Sequence, residues 1–154
     1  MHPEFEYSGV EEVPILDMDG ESIALMMPHR PKNLLKNFED VVNSRWIGQG
    51  PRVQQFEEEF AEKVLANKAT ALAVGSGTDA LHLAYLLAGV GPGDEVIVPV
   101  FTCTATNIPL LYIGAKIVFA DIEPDSLNLS VSHVRELITP RTRAIVTVDY
   151  GGNP

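Results

Sequence analysis

From residue 69 onward, short apolar runs alternate with segments of helical periodicity, and this alternation most constrains how the chain can fold. Apolar runs bounded by turn residues are typical of buried strands, whereas apolar residues three or four apart are typical of helices. The pattern predicts strands at 69–74, 95–98, 116–120 and 143–149, with helices between them at 79–89, 104–113 and 132–138. Strands that alternate with helices form right-handed crossovers and a parallel sheet. The sequence therefore predicts an α/β fold with a mainly parallel sheet and flanking helices.

The pattern also predicts how the chain is divided. Residues 1–31 are acidic, are interrupted by prolines and lack a clear period, which indicates an extended N-terminal arm. The domain is predicted over 32–154, and it opens with amphipathic helices at 32–43 and 53–64. Because the glycine-rich residues 151–154 follow a predicted strand directly, we expect this domain to be truncated at its C-terminus.

The composition excludes several classes of function. Of the 154 residues, 45% are hydrophobic and 21% are charged, as in globular proteins. A formal net charge of -10 argues against binding to nucleic acid, which depends on lysine and arginine. No apolar run could span a bilayer and no signal peptide is apparent, so we expect a cytoplasmic protein without a membrane partner. One cysteine and scattered histidines predict neither a disulfide nor a metal site.

The turn Gly75-Ser76-Gly77-Thr78-Asp79 lies between a predicted strand and a predicted helix. Glycines allow a ligand to approach closely, and the free N–H groups of a helix start attract anions, so the turn is a candidate phosphate site. A helix that is merely capped by Thr78 explains the turn equally well. The turn followed by Ala80 also fits a variant dinucleotide fingerprint, but the next strand ends without the acidic residue that would hold a ribose.

Residues 101–106 (FTCTAT) follow the predicted strand 95–98 and carry small and hydroxylic side chains. Such a run suits a pocket that holds a flat ring better than one that clasps a ribose. Judged from the residues alone, Cys103 is expected to be a small buried hydrophobe rather than a nucleophile. Lys116 is expected to be solvated, and His133 is expected to lie unused on a surface helix.

Several long motifs occur in the order and spacing of one enzyme family. They are RWIGQGPRVQQFEEEFA (45–61), GSGTDALHLA (75–84), GVGPGDEVIVPVFTCTATNIPLLYIGAKIVFADI (89–122) and ITPRTRAIV (138–146). Over residues 33–154 the chain resembles the DegT/DnrJ/StrS family of nucleotide-sugar aminotransferases, which depend on pyridoxal phosphate (PLP). The resemblance implies the N-terminal part of a PLP-binding large domain of fold type I, the aspartate aminotransferase-like fold.

The resemblance also implies roles for individual residues. The backbone N–H groups of Gly77, Thr78 and Asp79 would bind the cofactor phosphate, and Cys103 would lie beside the pyridine ring. We expect Gly77 to adopt a positive φ. The lysine that forms the Schiff base and the aspartate that pairs with the ring nitrogen are expected beyond Pro154, so no catalytic residue is assigned in this chain.

The loop before the second helix is a candidate interface. Trp46, Ile47 and Gly48 are expected to pack on a substrate or on a partner subunit, since the resemblance implies a homodimer whose active sites lie between its chains. Packing of Trp46 within its own chain is an equally good explanation.

The resemblance implies that the intact protein transfers an amino group from an amino acid, with glutamate as the expected donor, to a nucleotide-linked keto sugar. A family dehydratase, in which histidine replaces the lysine, is an open variant. If the 154-residue chain is itself the mature protein, it is an inert remnant or an interaction module. A fragment of a dinucleotide-binding oxidoreductase is the weaker alternative. Neither fold nor family fixes the nucleotide, the sugar or the ketone position.

Overall fold

The computed structural model describes residues 29–153, so the predicted arm lies outside the described residues except for 29–31. Contacts divide the chain into two units, 1–52 and 53–154, and each is described by itself. In the first unit, α1 spans Leu34–Ser44 and ends at Arg45, which adopts the left-handed conformation. No residue of α1 is buried. Its exposed apolar side chains include Leu34, Leu35, Phe38 and Val42.

The second unit contains a three-stranded parallel sheet. Its strands are β1 (Glu95–Pro99), β2 (Lys116–Ala120) and β3 (Thr142–Ile145), and their spatial order is β2-β1-β3. Every residue of the central strand β1 is buried, which is why its sequence is a nearly continuous apolar run. The parallel pairing confirms the predicted α/β class.

Apolar side chains cover both faces of this sheet. The helices are α2 (Pro51–Lys63), α3 (Gly77–Leu87), α4 (Thr104–Ile113) and α5 (Val131–Leu137), and a 3-10 turn spans Tyr150–Gly152. Successive side chains of a strand point to opposite faces. Val96 and Val98 accordingly pack with residues of α3 and α4, whereas Ile97 packs with Val134 of α5. Helices α3, α4 and α5 thus flank the sheet, as predicted for the helices between the strands.

Two of the predicted strands differ from the observed structure. The run 69–74 is not a strand, because no described strand pairs with it; the Ala73 N–H instead donates to the Glu57 carboxylate at 2.8 Å. β3 ends at Ile145 and does not reach residue 149. Its ladder continues only through the Val146 N–H, which donates to a carbonyl of β1 at 2.8 Å before the chain turns away. An apolar run becomes a strand only where a neighbour pairs its backbone groups.

Helix α3 begins earlier than predicted, and most of its apolar surface is exposed. It starts at Gly77 rather than at residue 79, because the cap lies at Ser76. Tyr85 is the one buried residue of this helix, and Leu87 is 89% exposed.

Glu95 ties the amino ends of the three strands together. Its side chain is 3% exposed, and Thr139 Oγ1 (2.6 Å), Arg141 Nη2 (2.8 Å) and Lys116 Nζ (3.1 Å) all donate to its carboxylate. These hydrogen bonds, with that of Thr139 the largest contribution, lower the pKa of Glu95 from 4.5 to about 2. The prediction of a solvated Lys116 is confirmed, since its side chain is 66% exposed, but its ion pair with Glu95 was not predicted.

Candidate functional site

The carboxyl ends of the three strands lie at one edge of the sheet, because all strands are parallel. Ligands of open α/β sheets bind in the crevice outside this edge. The segments that leave it are 100–103 after β1, 121–130 after β2 and 146–153 after β3. Two of these segments touch, since the ring centroids of Phe101 and Tyr150 are 4.7 Å apart, with the ring planes inclined by 47°.

Ser76 caps the N-terminus of α3, so the prediction of Thr78 as a cap is wrong. The Ser76 backbone is extended, and its Oγ accepts a hydrogen bond from the Asp79 N–H at 3.1 Å. The same hydroxyl donates to Asp79 Oδ2 at 2.9 Å. Serine is among the residues most often found at this capping position. The Asp79 N–H, which was expected to bind a phosphate, therefore already has an acceptor.

The N–H groups of Gly77 and Thr78 have no acceptor within the described part of the chain. A Cβ built on Gly77 would meet no atom within 4 Å, so the space beside it is open. Gly77 is not among the residues with positive φ, which contradicts that prediction. Two unpaired donors at the positive end of a helix dipole, next to open space, suit an anion.

Cys103 is an exposed free thiol at the N-cap position of α4. The prediction of a buried hydrophobe is wrong, because the extended backbone of Cys103 lies outside the helix that follows. Next to it, the hydroxyls of Thr102 and Thr106 are 2.8 Å apart. Tyr85 joins α3 to α4 by donating from Oη to the Thr106 carbonyl at 2.9 Å, and burial raises the pKa of this phenol.

The two parts of the predicted cofactor site lie on two helices that pack against each other. No hydrogen bond in the described ranges joins Cys103 to residues 77–79. They lie instead at the N-termini of two helices, α4 and α3, that are held together by Tyr85.

Asn107 is a polar residue of α4 that the sequence analysis missed. Its Oδ1 atom is buried without a hydrogen-bond partner. Buried polar atoms are nearly always paired, so a donor from a ligand or from another segment would satisfy this one. The only sequence signal is a single amide directly before the apolar run 108–113 of the helix.

Trp46, Ile47 and Gly48 belong to the first unit. Trp46 is 60% exposed and Ile47 is 79% exposed. The indole N–H of Trp46 donates to the Gln49 carbonyl at 2.7 Å, and a Cβ on Gly50 would collide with the ring. Trp46 therefore packs partly on its own loop, whereas Ile47 remains uncovered.

The remaining polar residues form no metal site in the part of the chain that the structure describes. No group of three or more His, Cys, Asp or Glu there could hold a metal ion. His133 is not idle, because its Nδ1 accepts a hydrogen bond from the Asp121 N–H at 2.9 Å, directly after β2. Among the described helices, none is long and apolar enough to cross a membrane.

The model of the DegT/DnrJ/EryC1/StrS aminotransferase family matches residues 28–154. The chain is 42% identical over 126 residues to the spore coat polysaccharide biosynthesis protein SpsC of Bacillus subtilis, covering 82% of this chain and 32% of SpsC. It is 38% identical over 115 residues to a dTDP-4-dehydro-2,3,6-trideoxy-D-glucose 4-aminotransferase of Saccharopolyspora spinosa, covering 75% and 30%. The chain thus spans about a third of the length of these relatives.

Solved structures share this arrangement. The PMP form of Spr1654 from Streptococcus pneumoniae, assigned as a sugar aminotransferase, has a TM-score of 0.76 at 29% identity and covers 87% of this chain and 33% of its own. The GDP-4-keto-6-deoxy-D-mannose-3-dehydratase of E. coli, with bound hydrated PLP, has a TM-score of 0.74 at 30% identity, with coverage of 84% and 34%. The chain is therefore similar to both an aminotransferase and a dehydratase.

Proposed function

Because the chain belongs to the DegT/DnrJ/EryC1/StrS aminotransferase family, we propose that this protein is a PLP-dependent sugar aminotransferase. It moves an amino group from an amino acid, glutamate in our proposal, to a nucleotide-linked keto sugar for polysaccharide biosynthesis. The names of the two relatives, one in polysaccharide biosynthesis and one a nucleotide-sugar aminotransferase, support this substrate class. A cytoplasmic location is part of the proposal, and the single cysteine is compatible with a reducing compartment.

The observation that carries the proposal is the pair of unpaired N–H groups at the start of α3. Gly77 and Thr78 present these two donors beside open space at a helix N-terminus, and phosphate is one of the anions that such a position binds. The half-buried Thr78 hydroxyl makes no hydrogen bond within the described residues and adds a third donor. These groups fit the phosphate of PLP.

Asp79 has a different role from the one that the family resemblance implied. Its N–H and its carboxylate are both bonded to the Ser76 hydroxyl. We therefore assign Ser76 and Asp79 to holding the turn in shape, and we assign the phosphate to Gly77 and Thr78. The Ser76 hydroxyl also donates to a carboxylate that would otherwise repel a bound phosphate.

The segment after β1 supplies the surroundings of the ring in this proposal. Cys103 offers an exposed, polarizable sulfur that can pack on an aromatic face. When bound, PLP supplies the electrophilic carbon and the electron sink for moving an amino group. No described lysine is assigned to covalent attachment; Lys116 is bound to Glu95 at the amino edge, away from the carboxyl ends of the strands.

A homodimer is also part of the proposal. The uncovered Ile47, which is 79% exposed, supports it, because a large exposed apolar side chain next to Trp46 is suited to a protein interface. The second candidate function is a PLP-dependent sugar dehydratase, and the similarity to the E. coli dehydratase favours it.

A PLP titration followed by product analysis tests the proposal. The protein is titrated with PLP by visible absorbance and is then incubated with glutamate and nucleotide-linked keto sugars. An amino sugar formed together with 2-oxoglutarate supports the aminotransferase, and a deoxygenated keto sugar identifies the dehydratase. Absence of saturable PLP binding overturns both functions and leaves the inert interaction module, whereas saturable NADH binding indicates the oxidoreductase alternative.

Thr78→Val sharpens this titration. Valine keeps the shape of the side chain and removes the hydroxyl, so PLP affinity should fall about ten- to a hundredfold. Asp79→Asn should have a milder effect, because the N–H that bonds to Ser76 is retained. If Asp79→Asn is the more damaging change, the phosphate does not bind as proposed.

A further inference from the structure

The side chain of Asn128 clamps the segment that follows β3. Its Oδ1 accepts a hydrogen bond from the Tyr150 N–H at 3.0 Å, and its Nδ2 donates to the Asn153 carbonyl at 2.8 Å. A main-chain N–H can only donate and a carbonyl can only accept, so the two bonds fix the orientation of the amide. The partners lie 22 and 25 residues further along the chain, so the clamp is a tertiary contact.

The clamped segment contains two glycines between its fixed ends. Gly151 and Gly152 have φ values of 66° and 81°. Glycine loses more conformational freedom on ordering than any other residue, so a turn built on two of them depends on outside contacts. The Asn128 amide holds both ends of this turn, and the Tyr150 ring packs on Phe101.

Asn128 is itself held in place. Its N–H donates to Ser126 Oγ at 3.2 Å, and its carbonyl accepts from the Glu123 N–H at 2.8 Å. The preceding Leu127 adopts a φ of 60°, which turns the chain within this loop. The clamp therefore connects a fixed loop after β2 to the turn after β3.

We propose that Asn128 is a positioning residue of the cofactor site, a role that rests on the proposed function. It holds Tyr150, which packs on Phe101, and Phe101 precedes the segment with Cys103 that we assign to the ring. Asn128 acts through these two aromatic residues and does not itself touch the cofactor. All three segments leave the carboxyl edge of the sheet, where ligands of such folds bind.

Three variants of the complete protein test this role. Asn128→Ala removes both hydrogen bonds, and Asn128→Asp keeps the acceptor for Tyr150 but places a carboxylate against the Asn153 carbonyl. Asp125→Ala is the matched control, because Asp125 is exposed in the same loop and makes none of the hydrogen bonds that hold Asn128. Amide hydrogen exchange is measured without PLP, and PLP affinity and the visible circular dichroism of bound PLP are measured afterwards.

Asn128→Ala should speed the exchange of the Tyr150 amide about tenfold, weaken PLP binding severalfold and change the dichroism of the bound cofactor. Asn128→Asp should keep the Tyr150 amide protected. Loss of the bond to the Asn153 carbonyl should loosen the turn, so that the Asn153 N–H, which donates to the Tyr150 carbonyl at 3.2 Å, exchanges faster and PLP binding weakens. Asp125→Ala should change none of these quantities. If Asn128→Ala does not fold, Asn128→Asp decides the test by itself.

The outcomes separate this inference from the proposed function. Unchanged Tyr150 exchange in Asn128→Ala overturns the clamp. Faster exchange with unchanged PLP affinity and dichroism overturns the positioning role and leaves a structural one. If the unaltered protein takes up no PLP, the proposed function fails and the positioning role fails with it, while the exchange data still show whether Asn128 clamps the segment.

Discussion

Glu95 and Arg141 bind each other through both their side chains and their backbones. The Arg141 guanidinium donates to Glu95 Oε1 from Nη2 at 2.8 Å and from Nε at 3.2 Å, and the Glu95 N–H donates to the Arg141 carbonyl at 2.8 Å. This double contact joins the first residue of β1 to the residue before β3. It fastens the amino edge of the sheet, opposite the edge that carries the candidate site.

The Glu95 contacts predict an acid-sensitive fold. Because the pKa of Glu95 is lowered from 4.5 to about 2, its ionised form stabilises the folded state fully above pH 4.5, and this stability is lost as the pH falls toward 2. Urea unfolding of the unaltered protein at a series of pH values should therefore show a loss over this range. Glu95→Gln should be less stable than the unaltered protein at pH 7. Its free energy of unfolding should also fall less between pH 4.5 and 2, because it lacks the carboxylate that becomes protonated there.

Glu59→Gln is the control for the acid series. Glu59 forms an exposed pair with Lys63 on α2, and such surface pairs contribute little to stability. Loss of the Glu59 carboxylate should therefore leave the pH dependence of the free energy of unfolding nearly unchanged. If acid lowers the free energy of unfolding equally in Glu95→Gln and in the unaltered protein, protonation of Glu95 is not the cause of the acid sensitivity.

Elements whose limits depend on local signals were predicted well. α4 spans the predicted residues 104–113, because the extended Cys103 precedes it and Gly114, with a φ of 78°, ends it. β2 spans the predicted residues 116–120, because Gly114 and Asp121 bound a short apolar run. Local signals could not show whether the run 69–74 forms a strand, because strand formation depends on a pairing partner elsewhere in the chain.

The candidate site was predicted only in part for the same physical reason. Ser76 and Thr78 both have hydroxyls suited to capping, and the reciprocal contact with Asp79 selects Ser76. The roles of Glu95 and Asn128 depend on partners 21 to 46 residues away, which no local spacing marks. Long-range polar contacts therefore account for most of what the sequence could not indicate.

Ser76→Ala is expected to weaken the start of α3. It removes the acceptor of the Asp79 N–H, and loss of such a cap typically costs about 1 kcal/mol. Asn33→Ala is a comparison at the N-cap of α1, where the exposed side chain makes no capping bond, so it should cost less. Chemical denaturation measures both changes, and an equal or larger loss for Asn33→Ala would contradict the assigned cap.

Ile47→Glu tests the proposed homodimer. A charge at a buried apolar contact is strongly unfavourable, so light scattering should show the complete protein shifted from dimer toward monomer. Val131→Glu is the control, since Val131 is similarly apolar and 62% exposed but is not assigned to an interface. A monomeric unaltered protein, or a dimer unaffected by Ile47→Glu, would remove Ile47 from the interface.

Gly77→Ala and Gly89→Ala distinguish a loss of space for a ligand from a strained backbone. Gly77 lacks a positive φ and has open space beside it, so alanine there should leave the free energy of unfolding within about 0.5 kcal/mol while lowering PLP affinity. Gly89 has a φ of 72°, and its Cβ would lie 2.5 Å from Arg143 Nη2, so alanine there should cost about 1 kcal/mol or more. Chemical denaturation of both variants measures the free energies of unfolding, and PLP titration measures their PLP affinities. Because the methyl group at Gly77 would occupy the open space assigned to the phosphate, unchanged PLP affinity in Gly77→Ala would place the phosphate elsewhere.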